Sequence, residues 1–358
     1  MASKSETKSS DSLPGGEVPE VSILVVNYNG ERFLPALLDS LAAIQQPTHE
    51  VVVVDNASGD RSLPLLAARS WVKVVRSSEN RGFAGGNNLG LGHCSGKYVL
   101  LLNNDTVVPP DFLIPLCAYL NANPQVGVVQ GKMLLPNYGG ALDVCGSFLT
   151  ALGFPYHYGY FKQDSPKYGH PFPIFSGKGA CLLFRRGMIR DVGGFLFDES
   201  FFCYYEETDF CHRAWLAGQE VHFVPGPPIQ HMMGGTAGGP QSGFVLRHYL
   251  RNMTFSLLSN LSFSSRFRIM PVFFAVLAAS LAAAALKGNR ISLSAHWGAI
   301  THAVSQYGNI RKRRAVIQGM RRRTDQEIFS KVLRTPRPEY FIKTFSGSLS
   351  SYEDETLP

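Results

Sequence analysis

The stretch that most constrains this chain is Tyr98 to Val108, YVLLLNNDTVV. Tyr98 to Leu102 are largely apolar and read as a strand buried on both faces, the pattern of a parallel sheet covered by helices. They run directly into Asn103, Asn104 and Asp105, and Pro109, Pro110 and Asp111 then signal a helix start. In such sheets ligands bind just beyond the carboxyl ends of the strands. An acid placed there after two amides suits a divalent cation and a phosphate. Taken alone, the same residues also fit a polar turn capping a strand.

Strand and helix alternate around this segment. Val21 to Gly30, VSILVVNYNG, reads as a buried strand ending in a polar loop. Glu31 to Leu41 carries Phe33, Leu34, Leu37, Leu38 and Leu41 at helical spacing. Glu50 to Val54 is a second strand, closed by the turn residues of Asp55 to Asp60. A short helix over Leu63 to Ala68 and a strand over Val72 to Val75 follow. Beyond the central strand, Phe112 to Leu120 is a helix and Gly127 to Gln130 a strand. This order predicts a doubly wound α/β sheet. Pro136 to Pro173, rich in Gly, Tyr and Phe, reads as loops and short strands.

Two further stretches have chemical potential. Glu79 to Gly90, ENRGFAGGNNLG, has glycines at 82, 85, 86 and 90, which permit close backbone approach. A diphosphate at a helix N-terminus would use that, but the spacing is neither a dinucleotide fingerprint nor a P-loop, and a structural Gly-rich turn is the plainer reading. Tyr204 to Trp215, YYEETDFCHRAW, places Glu206, Glu207 and Asp209 in the first turn of a helix, where the dipole favours negative charge. A solvated acidic terminus has the same pattern.

The chain's 358 residues, 45% of them hydrophobic, allow one large domain and an appendage. The net charge of +7 is unevenly spread: residues 246–335 hold fifteen Lys or Arg and two acids, +13, which leaves −6 elsewhere. That asymmetry points to a polyanionic surface as partner. Residues 1–19 are polar, lack a signal-peptide core and read as a disordered tail, and 336–358 as a flexible one. The six cysteines have no CxxC pair and fit reduced, buried thiols of a cytosolic protein.

In order along the chain, VVNYNG, VVVDNASGD, ENRGFAGGNNLG, LLLNNDT, GKGACLLFRR, GGFLFDESFF, YYEETDFCHR and QHMMGGT span Val21 to Thr236. Together they resemble the family 2 glycosyltransferases with a GT-A fold, in their rhamnosyltransferase-like branch of bacterial envelope biosynthesis. The resemblance implies a GT-A domain over 20–245, a doubly wound mixed sheet followed by a helical appendage over 246–335. It also implies an inverting, metal-dependent transfer from a nucleotide-diphosphate sugar, such as a rhamnose donor, to a lipid-linked or glycan acceptor. The alternative is a catalytically degenerate module that only binds nucleotide sugars.

By that resemblance Asp105 and His231 hold Mg²⁺ or Mn²⁺. Tyr28 stacks on the base and Asp55 accepts from it. Asn29, Asn80, Arg81, Asn87, Asn103 and Asn104 line the nucleotide site, and Lys178 and Gly179 lie at the donor sugar. A core tyrosine, a turn aspartate and a structural histidine are the ordinary alternatives for Tyr28, Asp55 and His231. The family carries Glu-Asp at the start of the acceptor helix, with the Asp as general base. Here the pair is Glu206-Glu207, so Glu207 takes the base position, with Glu206 or Asp209 able to share the role. The helix dipole is expected to lower the Glu207 pKa.

Met270 to Leu286, MPVFFAVLAASLAAAAL, is the one long apolar run. A spanning orientation would put Arg311 to Arg314 and Arg321 to Arg323 opposite the catalytic domain, against the positive-inside tendency. A helix in the interface is therefore expected, with the Arg clusters on anionic lipid at the inner face of the cell membrane. A buried helix of a soluble appendage is the alternative. Absence of an aromatic ladder beside the Arg-rich segment disfavours nucleic acid as partner.

Overall fold

The computed structural model describes residues 18–233, 243–346, 348–355 and 357. The expected N-terminal tail, as far as residue 17, lies outside them, as do Gly234, Gly235 and Thr236 beside His231.

The first half alternates strand and helix: β1 (Val21–Asn27), α1 (Leu34–Ala42), β2 (His49–Asp55), α2 (Ser62–Ala67), β3 (Val72–Arg76), α3 (Gly82–Leu91) and β4 (Tyr98–Asn103). Next come β5 (Thr106–Val107), α4 (Leu113–Ala122), β6 (Val126–Leu135), β7 (Ala141–Leu142), β8 (Ser147–Thr150), β9 (Pro155–His157), β10 (Phe172–Pro173) and β11 (Cys181–Arg185). Helix α5 (Glu206–Leu216) leads to β12 (Glu220–His231). The remainder is α6 (Gly243–Asn260), α7 (Phe263–Leu286), α8 (Arg290–Ser305), α9 (Tyr307–Met320), α10 (Asp325–Val332), β13 (Leu333–Arg334) and α11 (Pro338–Ser346).

The main sheet runs β10-β12-β6-β11-β4-β1-β2-β3. It is mixed: β4, β1, β2 and β3 are mutually parallel, whereas β11 is antiparallel to both β4 and β6. Residues 21, 23 and 25 of β1 face one apolar core and Leu24 the other, which is why the strand is apolar throughout. The Gly-rich stretch is a helix, not a turn. Added Cβ atoms at Gly86 and Gly90 would stand 2.7 Å from Val26 and 2.3 Å from Leu24, so these glycines bring α3 against the sheet.

The C-terminal third is less separate than its composition implies. Leu250, Met253, Phe273, Ala299, Ile317 and Ile328 share one core with the sheet residues Val99 and Phe184. β13 pairs with β8. The expected flexible tail is also packed: Asp354 accepts from Tyr156 and Tyr168 hydroxyls at 2.9 Å and from the Gly159 N–H at 2.6 Å. A polar, loose-looking sequence is held because one buried carboxylate meets donors from a distant sheet.

The Arg clusters are corrected as well. Helix α9 turns Arg311 and Lys312 outward but Arg313 and Arg314 inward. Arg314 donates to the Leu261 carbonyl at the end of α6, Arg313 pairs with Asp209, and Arg321 with Asp325 at 2.7 Å. Much of the charge read as lipid-facing therefore closes helix ends and buried acids.

Candidate active site

The site lies where chain order reverses across the sheet, at β1 between β4 and β2. Register pairs Val26 with Asn103 and Asn27 with Asp55, so both polar strand ends reach one edge. Asn104 donates to Asn27 Oδ1 at 2.9 Å. A Cβ on Gly30 would sit 2.1 Å from that oxygen, so a larger residue there would displace the Asn27–Asn104 amide pair. Asn29, at φ 51°, accepts from the Gly59 N–H at 2.8 Å. Tyr28 is half-buried at the loop. Asp55 is buried, and its Oδ1 has no partner while Oδ2 accepts from the Ser58 N–H. A shielded, unpaired carboxylate oxygen is costly unless a ligand donor meets it.

Asp105 and His231 converge, with His231 Nε2 3.3 Å from Asp105 Oδ1. The strand pair β5–β12 fixes this, setting Thr106 opposite His231. On its other side His231 Nδ1 bonds Asp143 Oδ2 at 2.7 Å, and Lys178 Nζ reaches both Asp143 oxygens at 2.6 and 2.8 Å. Burial alone would raise the Asp143 pKa, but Lys178 and His231 outweigh it and hold it at about 2. Burial alone would depress the imidazole. The carboxylates of Asp105 and Asp143 raise it instead.

Among the described residues no three His, Cys, Asp or Glu side chains gather as a metal cage. The Asp105–His231 pair still fits a Mg²⁺-like ion. Adjacent ligands on an octahedral ion lie about 3 Å apart, and such ions take few protein ligands, the rest coming from phosphate and water. A metal-ligating histidine also typically donates its other nitrogen to a carboxylate, as His231 does to Asp143. Asn103 Nδ2 is 3.5 Å from His231 Nε2.

Other expected donor-site residues have structural contacts. Asn80 Oδ1 accepts from Asn56 and from the Gly82 N–H, Arg81 lies 3.4 Å from Glu199, and Asn87 donates to the Phe83 carbonyl within α3. Lys178 is engaged by Asp143. Gly179 faces Glu207: a Cβ there would lie 3.7 Å from the Glu207 Cβ.

The three acids of α5 separate. Asp209 has both oxygens filled, Oδ1 by Ser256 and Asn260, Oδ2 by Arg213 at 2.9 Å and Arg313 at 2.5 Å. Burial opposes its ionisation, yet the two guanidiniums hold its pKa far below the usual range. It has no oxygen left for a substrate, which corrects its place among the candidate bases. Glu206 and Glu207 each keep one shielded, unpartnered Oε2. Burial pushes both pKa values up, and at Glu206 the neighbouring Glu207 charge acts in the same direction. The expected lowering by the helix dipole is therefore overturned, since desolvation is the larger effect.

The loop before α5 is strained. Phe202, Tyr204 and Tyr205 all have positive φ, at 62°, 67° and 76°. Asn252 of α6 clamps it, donating to the Phe201, Cys203 and Tyr204 carbonyls at 2.7–3.0 Å. Neither Asn252 nor Asp143 stood out in sequence. For Asp143 the only signal was a carboxylate inside the apolar run Ala141 to Cys145.

Residues 22–193 match the family model described as Glycosyl transferase family 2. Among curated relatives, the chain is 26% identical over 208 residues to the low-salt glycan biosynthesis hexosyltransferase Agl10 of Haloferax volcanii, 54% of this chain and 61% of that protein. It is 32% identical over 195 residues to the O-antigen biosynthesis protein RfbC of Myxococcus xanthus, 51% of this chain and 15% of that one. The chain thus spans less than two thirds of the length of these relatives. Among solved structures, S. aureus TarS 1-349 superposes with a TM-score of 0.55 at 17% identity, covering 84% of this chain and 88% of that one. A mannosyltransferase from Pyrobaculum calidifontis, in complex with GDP-Man and Mn²⁺, gives 0.51 at 18%, covering 85% and 86%. These likenesses show the GT-A fold.

Proposed function

We propose, from the match of residues 22–193 to the Glycosyl transferase family 2 model, that this protein transfers a sugar, with inversion, from a nucleotide-diphosphate donor to a lipid-linked or glycan acceptor. Rhamnose is the sugar the sequence motifs favour. The observation that carries the reading is the buried Asp105–His231 pair at the sheet's reversal point, backed by Asp143 and Lys178.

Asp105 and His231 would hold a divalent ion, which when bound neutralises the charge growing on the diphosphate leaving group. Asp55, with its free Oδ1, accepts from the base, and Tyr28 covers the base's face. Asn103 contributes hydrogen bonds at the ribose or phosphate, with Asn29, Asn80, Arg81, Asn87 and Asn104 shaping the pocket. Glu207, beside Gly179, takes the proton from the acceptor hydroxyl. As that oxygen forms its bond to the anomeric carbon from the opposite face, the carbon–phosphate oxygen bond breaks and the nucleoside diphosphate leaves. A raised pKa makes Glu207 a better proton acceptor than a solvated carboxylate, once it is ionised. Glu206 beside it is also held above the ordinary glutamate range, by burial first and then by the Glu207 charge.

The test is a thermal-shift screen of UDP-, GDP- and dTDP-sugars with and without Mn²⁺. A cognate donor at 100-fold its Kd stabilises by about 2.7 kcal/mol. Asp105→Ala should abolish the metal-dependent part of that shift while the unliganded protein melts as a folded protein. A full metal-dependent shift in the variant would remove Asp105 from the role.

A further inference from the structure

Helices α7 and α8 form a hairpin whose outer face is apolar. Of the sixteen large hydrophobic side chains exposed among the described residues, eight lie on these two helices, between Phe263 and Val304. Phe267 is 77% exposed, Leu286 90% and Trp297 58%. The most apolar window of α7 has a mean hydropathy of 2.3 and is only 28% buried. A core helix of that composition would be covered on most sides. Here only one stripe is, through Ile269, Phe273, Leu277 and Ala284. Residues 246–324 contain no Asp or Glu, and Arg268, Lys287, Arg290, Arg311 and Lys312 are exposed.

We propose that the outer face of the α7–α8 hairpin enters the interfacial layer of a lipid bilayer, with the exposed basic residues on anionic headgroups. The hairpin lies in the interface and does not cross it. One stripe of α7 is packed into the protein's core, and the loop joining α7 to α8 is bounded by Lys287 and Arg290, which are costly to bury in hydrocarbon. Insertion is carried by aromatic and aliphatic side chains, because half of the Arg311–Arg314 cluster is turned inward. A second copy of the chain fits this face poorly, since an acid-free surface docked on itself would set like charges together.

The surface is tied to the candidate base. Helix α6 packs along α8. From α6, Asn252 clamps the Phe201–Tyr204 carbonyls and Arg251 donates to the Ser200 carbonyl, just ahead of Glu206 and Glu207. Docking through the hairpin therefore sets the acceptor side at a fixed height over the membrane. This last point rests on the proposed transfer reaction; the docking itself does not.

The experiment is flotation of the full chain with vesicles of phosphatidylcholine alone and of phosphatidylcholine with phosphatidylglycerol. The chain is expected to float with both, more strongly with the anionic vesicles, and to keep its neutral-vesicle binding at high salt. Phe267→Glu with Trp297→Glu should lower partitioning at least tenfold while the melting transition persists. Arg268→Glu with Lys287→Glu should remove only the preference for anionic vesicles. No flotation of the unaltered chain, or undiminished flotation of the Phe267/Trp297 variant, overturns the proposal. So does a lipid-free dimer that the same variant dissociates, which would give the face to a second copy. Donor-induced thermal shifts, read in parallel without lipid, report on the transfer reading separately.

Discussion

Helix α5 carries two carboxylates, Asp209 and Glu207, less than a turn apart, that behave in opposite ways. Toward the C-terminal helices, Asp209 is ionised and closed by Arg213, four residues away, and Arg313, 104 residues away. Beside Gly179, Glu207 meets no guanidinium among the described residues, and burial lifts its pKa and that of Glu206. All three acids share the same first turn and the same dipole, worth about 0.3–1 kcal/mol. What stands opposite each carboxylate outweighs that, so Asp209 is tied into the fold while Glu207 keeps an unpartnered oxygen.

The comparison is tested most sharply at Glu207. Glu207→Gln should lower the transfer rate by roughly 10²–10⁴ with donor affinity unchanged, as read from steady-state kinetics and donor titration. Because the base must be ionised and its pKa is raised, the acid limb of the rate profile should lie above the ordinary glutamate range. A rate near that of the unaltered protein would move the base elsewhere on the helix.

Asp209→Asn should act on stability. Removing the carboxylate between two buried guanidiniums, of which Arg313 alone keeps another in Asp198, costs about 3–5 kcal/mol, measurable by denaturant unfolding. The sign with pH follows from the depressed pKa: the contribution is complete above the ordinary aspartate range and is lost as pH falls through the lowered value. The variant's stability should therefore be flatter on the acid side. If Asp209→Asn unfolds at the same denaturant concentration but is inactive, the roles of Asp209 and Glu207 have been assigned in reverse.

Asp143→Asn is expected to weaken Mn²⁺ binding in the presence of donor about 10–100-fold, read as free Mn²⁺ by electron paramagnetic resonance. Unaltered metal affinity would mean that Asp143 serves only the Lys178 ion pair. The smallest effect belongs to packing. Gly86→Ala places a methyl 2.7 Å from Val26 and should cost about 1–3 kcal/mol by thermal melting, with the ratio of transfer rate to donor affinity unchanged.

The strand ends were the legible part of the site. Asn103, Asn104 and Asp105 follow a short apolar run that reads as a buried strand, and a parallel sheet gathers such ends on one edge. The glycines of α3 were visible as close-approach residues, but only the packed Val26 and Leu24 side chains explain them. Asp143 was hidden because its partners, His231 and Lys178, lie 88 and 35 residues away. The Arg-rich segment misled for the same reason. Its composition reads as a charged surface, whereas α9 directs Arg313 at an acid that a net-charge count places in another domain.

The sequence alone determined the sheet's apolar strands, their order of alternation with helices and the residue types at the strand ends, since these follow from local periodicity and turn chemistry. Which carboxylates are ionised, which arginines are structural and which apolar helix remains uncovered were decided only by tertiary structure. Each depends on what is brought within a few ångströms from far along the chain, where desolvation and pairing outweigh any local preference.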